Sequence, residues 1–222
     1  MYFKRKSYLN KTHLKKSVNM IEIVTGPMFS GKSEELMRRI RRLQIAGRKV
    51  QVFSPEIDFR GGKNCIYSHD DRRIEAIPIN DSSEIIEHLD RDTKAIGIDE
   101  IQFLDDGIID VAIGLAEKDI DVILACLNLD FRGEPFRFRN SERTVAEIIA
   151  LSESVTKLHA ICTEKVKVNG TESICGKNAY FTQRLINGKP APYNSPLIVV
   201  GSEDLYVARC RKHHKVPGKP KK

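Results

Sequence analysis

Residues 26–33 read Gly26-Pro27-Met28-Phe29-Ser30-Gly31-Lys32-Ser33, which satisfies the Gly-x-x-x-x-Gly-Lys-Ser spacing of a phosphate loop in full. The spacing has a physical reason. Glycines let the backbone curl until successive N–H groups point at one anion. The positive end of a following helix adds to that field. Lys32 can bring a point charge to the outer phosphates, and the Ser33 hydroxyl can ligate Mg²⁺. At average residue frequencies, a chance match in a chain of this length is on the order of 1%. Such a site needs an acid at the end of another strand, aimed at the metal. Asp99-Glu100, directly after the apolar run Ala95-Ile96-Gly97-Ile98, meets that need. Asp99 would hold Mg²⁺ through water, and Glu100 could take a proton from an attacking hydroxyl. Two acids after a strand also serve as helix caps, so the pair draws its meaning from the loop.

The elements that must position these residues alternate along the chain. Residues 21–25 predict a strand running into the glycine turn. Residues 33–46 predict a helix, with Leu36, Ile40, Leu43 and Ile45 on its apolar side and Gly47 closing it. Further strands are expected at 50–53, 95–98, 122–127 and 155–161, with helices at 83–89, 108–118 and 143–151. Residues 60–75 are polar and contain glycine, which predicts a mobile loop. Several strands are continuously apolar, the pattern of an α/β fold with a parallel sheet covered by helices on both faces. From Cys162 onward the texture changes to short segments rich in Gly, Pro and Cys. The expected organisation is a basic, disordered tail at 1–19, a nucleotide-binding domain at 20–161, a small module at 162–216 and a basic tail at 217–222. Met20, directly before the first strand, offers an alternative translation start.

Charge narrows the class further. The net charge is +7, yet residues 1–16 hold six Lys/Arg and residues 209–222 hold seven, with no acid in either run. The rest has 24 basic against 30 acidic residues, a net of −6. Solvated basic tails on an acidic body argue against a nucleic-acid partner. No run of 18 apolar residues exists and the N-terminus lacks the core of a signal peptide, so a cytoplasmic protein without a membrane partner is expected. Five cysteines without an export signal leave metal ligation or buried thiols rather than a disulfide framework.

Gly-Pro-Met-Phe-Ser-Gly-Lys-Ser followed by Glu-Glu-Leu resembles the cytosolic, zinc-containing thymidine kinase family (type II). Four more segments agree in order: Ile96-Gly97-Ile98-Asp99-Glu100-Ile101-Gln102-Phe103, Leu127-Asn128-Leu129-Asp130-Phe131-Arg132-Gly133-Glu134-Pro135-Phe136, Thr182-Gln183-Arg184-Leu185, and Tyr206-Val207-Ala208-Arg209-Cys210-Arg211. The likeness spans roughly residues 21–216. It implies a RecA-like P-loop fold with a C-terminal zinc module carrying a lasso-like substrate loop. It also implies transfer of the ATP γ-phosphate to the 5′-hydroxyl of thymidine or deoxyuridine in pyrimidine salvage, thymidine triphosphate as a feedback inhibitor, and a homotetramer. By position, Glu100 is implied as general base, with Asp99, Ile101 and Gln102 beside the nucleotide. Met28, Phe103, Leu127, Phe131 and Phe136 are implied as walls of the base and sugar pocket, and Asp58 and Arg60 as polar neighbours of the phosphate path. Thr182 and Arg184 would lie near the base. Val199, Val200, Gly201 and Tyr206 fall in the covering segment.

In that family a Cys-x-x-Cys knuckle joins a second ligand pair near the C-terminus. Here Cys162 is followed three residues later by Lys165, and the next cysteine is Cys175. An insertion of roughly residues 163–174 would widen the knuckle and keep both ligands. Cys210 and His213 restore the two-residue spacing, so Cys162, Cys175, Cys210 and His213 form the expected structural zinc set, with His214 a rival for the last place. Cys65 and Cys126 read as a loop thiol and a buried strand residue. Two other classes compete: a P-loop NTPase stimulated by nucleic acid, and a non-catalytic zinc-ribbon protein.

Overall fold

The computed structural model describes residues 20–57, 65–67, 73–198 and 206–220. The N-terminal elements run β1 (Ile21–Gly26), α1 (Lys32–Ile45), β2 (Val50–Pro55), β3 (Cys65–Tyr67), β4 (Arg73–Glu75), β5 (Ile77–Ile79), α2 (Glu84–Glu87), β6 (Ala95–Ile98), α3 (Ile108–Ala116), β7 (Asp121–Leu127), α4 (Val145–Leu151) and β8 (Ser154–Lys157). Six of these strands form one parallel sheet in the order β5-β2-β6-β7-β1-β8. No helix among the described residues is long and apolar enough to cross a membrane.

Successive strand residues face opposite sides of a sheet. In β7, Val122, Leu124 and Cys126 enter one core together with Ile21, Ile23, Ile96 and Ile98. Ile123 and Ala125 enter a second core with Val24 and Val52. Ile108, Ala112 and Leu115 of α3 and Val145 and Ile148 of α4 close the first core. Leu36 and Ile40 of α1 close the second. A sheet covered on both faces has to be apolar at every position, hence the unbroken hydrophobic runs. Each such side chain contributes about 1.5–3 kcal/mol of burial. Arg39 adds a polar anchor for α1: it reaches Glu22 of β1 at 2.6 Å, Glu35 at 2.8 Å and Thr156 of β8 at 2.7 Å. Hydrogen bonding from Arg38, joined by Arg39, holds the Glu35 carboxyl down at about 2.

The remaining strands are short: β9 (Ala160–Ile161), β10 (Lys165–Val168), β11 (Thr171–Ile174), β12 (Asn178–Ala179), β13 (Phe181–Ile186), β14 (Lys189–Pro190) and β15 (Tyr206–Arg209). β9 pairs with β12, and β13 lies antiparallel between β14 and β15. Ala160, Cys162, Ala179, Ala208 and Cys210 make a third small core between them.

The strands depart from the sequence expectations in three places. Within residues 60–75, read as a mobile loop, β3 and β4 pair antiparallel with Ile66 opposite Ile74. Ile66 is buried and Ile74 packs on the α1-side core, so Cys65 sits on a strand. Strands of three residues are too short to show a period. β5 was not anticipated, for the same reason of length. The segment expected as one strand at 155–161 is divided between β8 of the main sheet and β9 of the C-terminal part.

The insertion after Cys162 is a β-hairpin. β10 and β11 pair in full register from Lys165↔Ile174 to Val168↔Thr171. Asn169 and Gly170 turn the chain with φ of 51° and 82°, the left-handed pair that a two-residue turn of matching twist requires. At its base Cys175 N donates to Glu164 O (2.8 Å) and Gly176 N to Cys162 O (3.1 Å). Excising residues 165–174 would therefore join two positions already in hydrogen-bond contact, leaving Cys162-Thr163-Glu164-Cys175. All four β11 residues are exposed and β10 is only partly covered. The excised protein is expected to melt within about 2 °C of the parent, the range of a surface change of roughly 0.5 kcal/mol. Calorimetry or circular dichroism measures it, and a fall beyond about 5 °C would show that the hairpin supports the fold.

Candidate active site and metal centre

β1 ends on Gly26, which pairs with Leu127 at the end of β7. A Cβ at Gly26 would stand 2.5 Å from Leu158 O and 2.9 Å from Ser30 Oγ, so only glycine lets the loop leave the strand here. Ser30 Oγ and Lys32 Nζ both donate to Pro27 O, at 2.8 and 3.0 Å. The Lys32 side chain is thus drawn into the curl of its own loop and is almost wholly buried. Phosphate oxygens entering the loop would replace that carbonyl as its acceptor. Met28 N donates to Thr182 Oγ1 of β13 at 3.0 Å, which pins the loop to the C-terminal part of the chain. Ser33 lies in the first turn of α1.

Asp99 and Glu100 follow β6 and are 1% and 5% exposed. Glu100 N donates to Asp99 Oδ1 at 2.9 Å. Gln102 Nε2 donates to Glu100 Oε2, while Gln102 Oε1 accepts from Leu127 N at 3.1 Å. One amide side chain therefore ties the carboxylate to the end of β7, at the very residue that pairs with Gly26. Buried Ile101 opens the 3₁₀ turn Ile101–Phe103. Among the described residues, six that are not glycine have left-handed backbone. Asp119, Asn140, Asn169 and Asn187 are of types that tolerate it. The other two are Phe29 in the phosphate loop (φ 65°) and Glu100 (φ 47°). Strain of this kind gathers where function fixes geometry.

The expected pocket walls come together in part. Met28, Phe103, Leu127 and Phe136 share one apolar cluster, with Phe103 edge-on to Phe136 at 6.0 Å. Thr182 is at the loop through Met28 N. Phe131 is buried, with the guanidinium of Arg184 5.7 Å from its ring centre and that of Arg132 5.3 Å away. Tyr206 pairs with Arg184 across β13 and β15. Asp58, Arg60, Val199, Val200 and Gly201 lie outside the described residues. Two further residues matter that the sequence reading passed over. Asp130 Oδ1 accepts from Arg132 N (2.9 Å) and Glu134 N (3.0 Å), fixing the turn that presents Phe131. Burial pushes its carboxyl up. Arg132 donates to Ser195 O at 3.0 Å and stacks on Tyr193. The signal for Asp130 was present in Asp-x-x-Gly, a turn that an aspartate side chain closes.

Cys162, Cys175, Cys210 and His213 bring one ligand atom each to within 4.8 Å of one another. His213 Nδ1 stands 3.5 Å from the sulfurs of both Cys162 and Cys210. Tetrahedral zinc with bonds of about 2.0–2.3 Å needs ligand atoms roughly 3.3–3.8 Å apart, and a set of three sulfurs and one imidazole suits it. The residues fit the ion. Burial raises the Cys162 thiol. At Cys210 burial is outweighed by backbone N–H groups of His213 and Lys212, which hold the thiol below its ordinary range. His214 is not a competing ligand: its Nε2 is 2.9 Å from Phe131 O and its ring stacks on Phe181 at 4.6 Å. Burial also lowers its pKa, favouring the neutral ring. Cys126 stands apart on β7, its thiol pushed up to about 12 by burial.

The second basic run departs from the expectation of a solvated tail. Arg209 pairs with Glu164 at 2.8 Å, Arg211 lies over the Phe181 ring, and Lys219 reaches Arg132 O at 2.5 Å. An acid, an aromatic face and a carbonyl, all distant in sequence, receive these three charges, so charge counting could not find their partners.

A solved structure described as a DNA replication initiation factor matches with 15% identity and a TM-score of 0.38, over 64% of this chain and 41% of that one. The chain thus spans less than half the length of that protein, and likeness at this level carries no argument. The thymidine kinase family model matches residues 19–214. That span runs from two residues before β1 to His214, past every strand of the main sheet and every residue of the cysteine cluster, and the chain belongs to the thymidine kinase family.

Proposed function

We propose that this chain transfers the γ-phosphate of ATP to the 5′-hydroxyl of thymidine or deoxyuridine, giving the nucleoside monophosphate and ADP in pyrimidine salvage. Membership of the family makes it a nucleoside kinase that uses ATP and Mg²⁺. The observation that supports the finer reading is Glu100, a buried carboxylate in left-handed backbone, oriented by Gln102 at the edge where the phosphate loop begins. As the 5′-oxygen bonds to the γ-phosphorus, its proton passes to a Glu100 carboxylate oxygen. The bond from phosphorus to the bridging oxygen breaks, and ADP leaves. Phosphoryl transfer asks for positioning and charge stabilisation more than covalent chemistry. Backbone N–H groups of residues 26–33 and the Lys32 ammonium supply that charge. Ser33 and Asp99 would hold Mg²⁺, which would neutralise phosphate charge. Met28, Phe103, Leu127, Phe131 and Phe136 wall the nucleoside, with Thr182 and Arg184 at its base and Val199, Val200, Gly201 and Tyr206 in the covering segment. Asp58 and Arg60 serve the phosphate path.

The Cys₃His set would hold structural zinc, which supplies a crosslink between the two ends of the C-terminal part. Cytoplasmic location, a homotetramer and inhibition by thymidine triphosphate follow the same family reading, without a nucleic-acid or membrane partner.

Glu100→Gln keeps the shape and can still accept from Gln102, but takes up no proton. Turnover is expected to fall by at least about 100-fold, the lower range for a general base, while the KM for ATP stays within about twofold. Steady-state kinetics with thymidine decides it, and near-normal turnover would remove Glu100 from the role. For the metal, elemental analysis is expected to give one zinc per chain. Cys175→Ser should then lower the thermal midpoint by roughly 5–15 °C, as losses of about 2–5 kcal/mol do in a chain of this size. A zinc-free protein whose melting ignores a strong chelator would refute the site.

A further inference from the structure

Cys210 O accepts from the backbone N–H of both His213 and His214, each at 3.0 Å. This tight turn sends neighbouring side chains in opposite directions. His213 Nδ1 faces the sulfurs, whereas His214 Nε2 lies 2.9 Å from Phe131 O. A carbonyl only accepts, so the His214 Nε2–H donates. The ring is fixed by stacking on Phe181, 4.6 Å between centres and 13° from parallel. Beyond it the chain keeps to the same loop. Lys215 N donates to Gln183 Oε1 at 2.8 Å, one residue from the Thr182 that holds Met28 N. Lys219 Nζ donates to Arg132 O at 2.5 Å and stands 3.6 Å from Glu134. Two successive carbonyls of the Phe131 turn are thus held by side chains that follow the metal cluster directly.

We propose that His214, with Lys219, is a positioning residue of the nucleoside site, setting the Phe131 turn from the metal cluster outward. This rests on the reading of Phe131 as a wall of the nucleoside pocket. The turn is fixed from inside by Asp130 and from outside by His214. Removing the outer bond leaves Phe131 O buried without that donor and frees the ring wall to shift. The phosphate loop and Glu100 are held by other contacts, so nucleoside binding bears the effect and ATP use does not.

The test compares His214→Phe, which keeps the stack and loses the hydrogen bond, with His214→Gln, whose amide nitrogen can reach the same carbonyl. For each, thymidine affinity by calorimetry, KM and kcat for both substrates, and zinc content are measured on the full chain. His214→Phe is expected to weaken thymidine binding and raise its KM by about 3–10-fold, the value of one hydrogen bond. The KM for ATP should stay within about twofold, with one zinc retained, and His214→Gln should recover most of the loss. If His214→Phe does not fold, Lys219→Met, which releases Arg132 O and the Glu134 carboxylate and leaves the metal turn untouched, carries the same expectation. Unchanged thymidine affinity, an equal rise in both KM values, or loss of zinc would overturn the proposal. Should the unmodified protein neither bind nor phosphorylate thymidine, the functional reading itself fails and this inference falls with it.

Discussion

The site depends on β7 lying between β1 and β6. In the proposed reaction a phosphate loop and a proton acceptor must stand far enough apart to admit a γ-phosphate and an incoming hydroxyl, and no farther. Neighbouring strands are about 4.8 Å apart, so two steps across the sheet set roughly 10 Å between the ends of β1 and β6. Parallel pairing places both ends on the same edge, where open α/β sheets bind ligands. The end of β7 then serves as a ruler: Leu127 pairs with Gly26 on one side and donates to Gln102 on the other. Both faces of β7 are buried in separate cores, so the ruler is among the most rigid parts of the sheet.

Rigid strands explain why strain can be held at the two loops that leave them. Phe29 and Glu100 adopt backbone that costs on the order of 1 kcal/mol or more for such residues. At Glu100 the cost is offset by the bonds through Asp99 and Gln102. At the phosphate loop, Ser30, Lys32 and Thr182 hold the turn through Pro27 O and Met28 N. These bonds lie within the chain, so phosphate binding need not supply all of the loop's ordering.

Legibility in the sequence followed the physics of each feature. The central strands could be read because burial on both faces forces every position to be apolar, and the phosphate loop because its chemistry fixes residue type at fixed spacing. β3, β4 and β5 could not, since three residues carry no period. Asp99-Glu100 was visible as a pair, but the tie from Gln102 to Leu127 joins residues 25 apart and follows only from the strand order. Asp130 and Arg132 went unread, and His214 stood only as a rival zinc ligand, for another reason. Each acts through backbone carbonyls or N–H groups, and such groups are the same in every sequence.

The metal centre shows the difference between counting residues and measuring space. A tetrahedral ion constrains where sulfurs stand and is indifferent to the chain between them. In sequence, twelve residues separate Cys162 from Cys175, and the spacing of a knuckle is lost. In the fold, eight of the twelve pair with one another as β10 and β11, and the hairpin returns the chain to within one hydrogen bond of its departure. A hairpin is the insertion least damaging to such a site, because an antiparallel pair closed by Asn169-Gly170 ends where it begins. The opposite ligand pair has no such freedom. Cys210 and His213 lie in one turn, and the next residue already faces Phe131. An insertion between them would move His214 as well as the ligand, so the chain can lengthen at the first pair and not at the second.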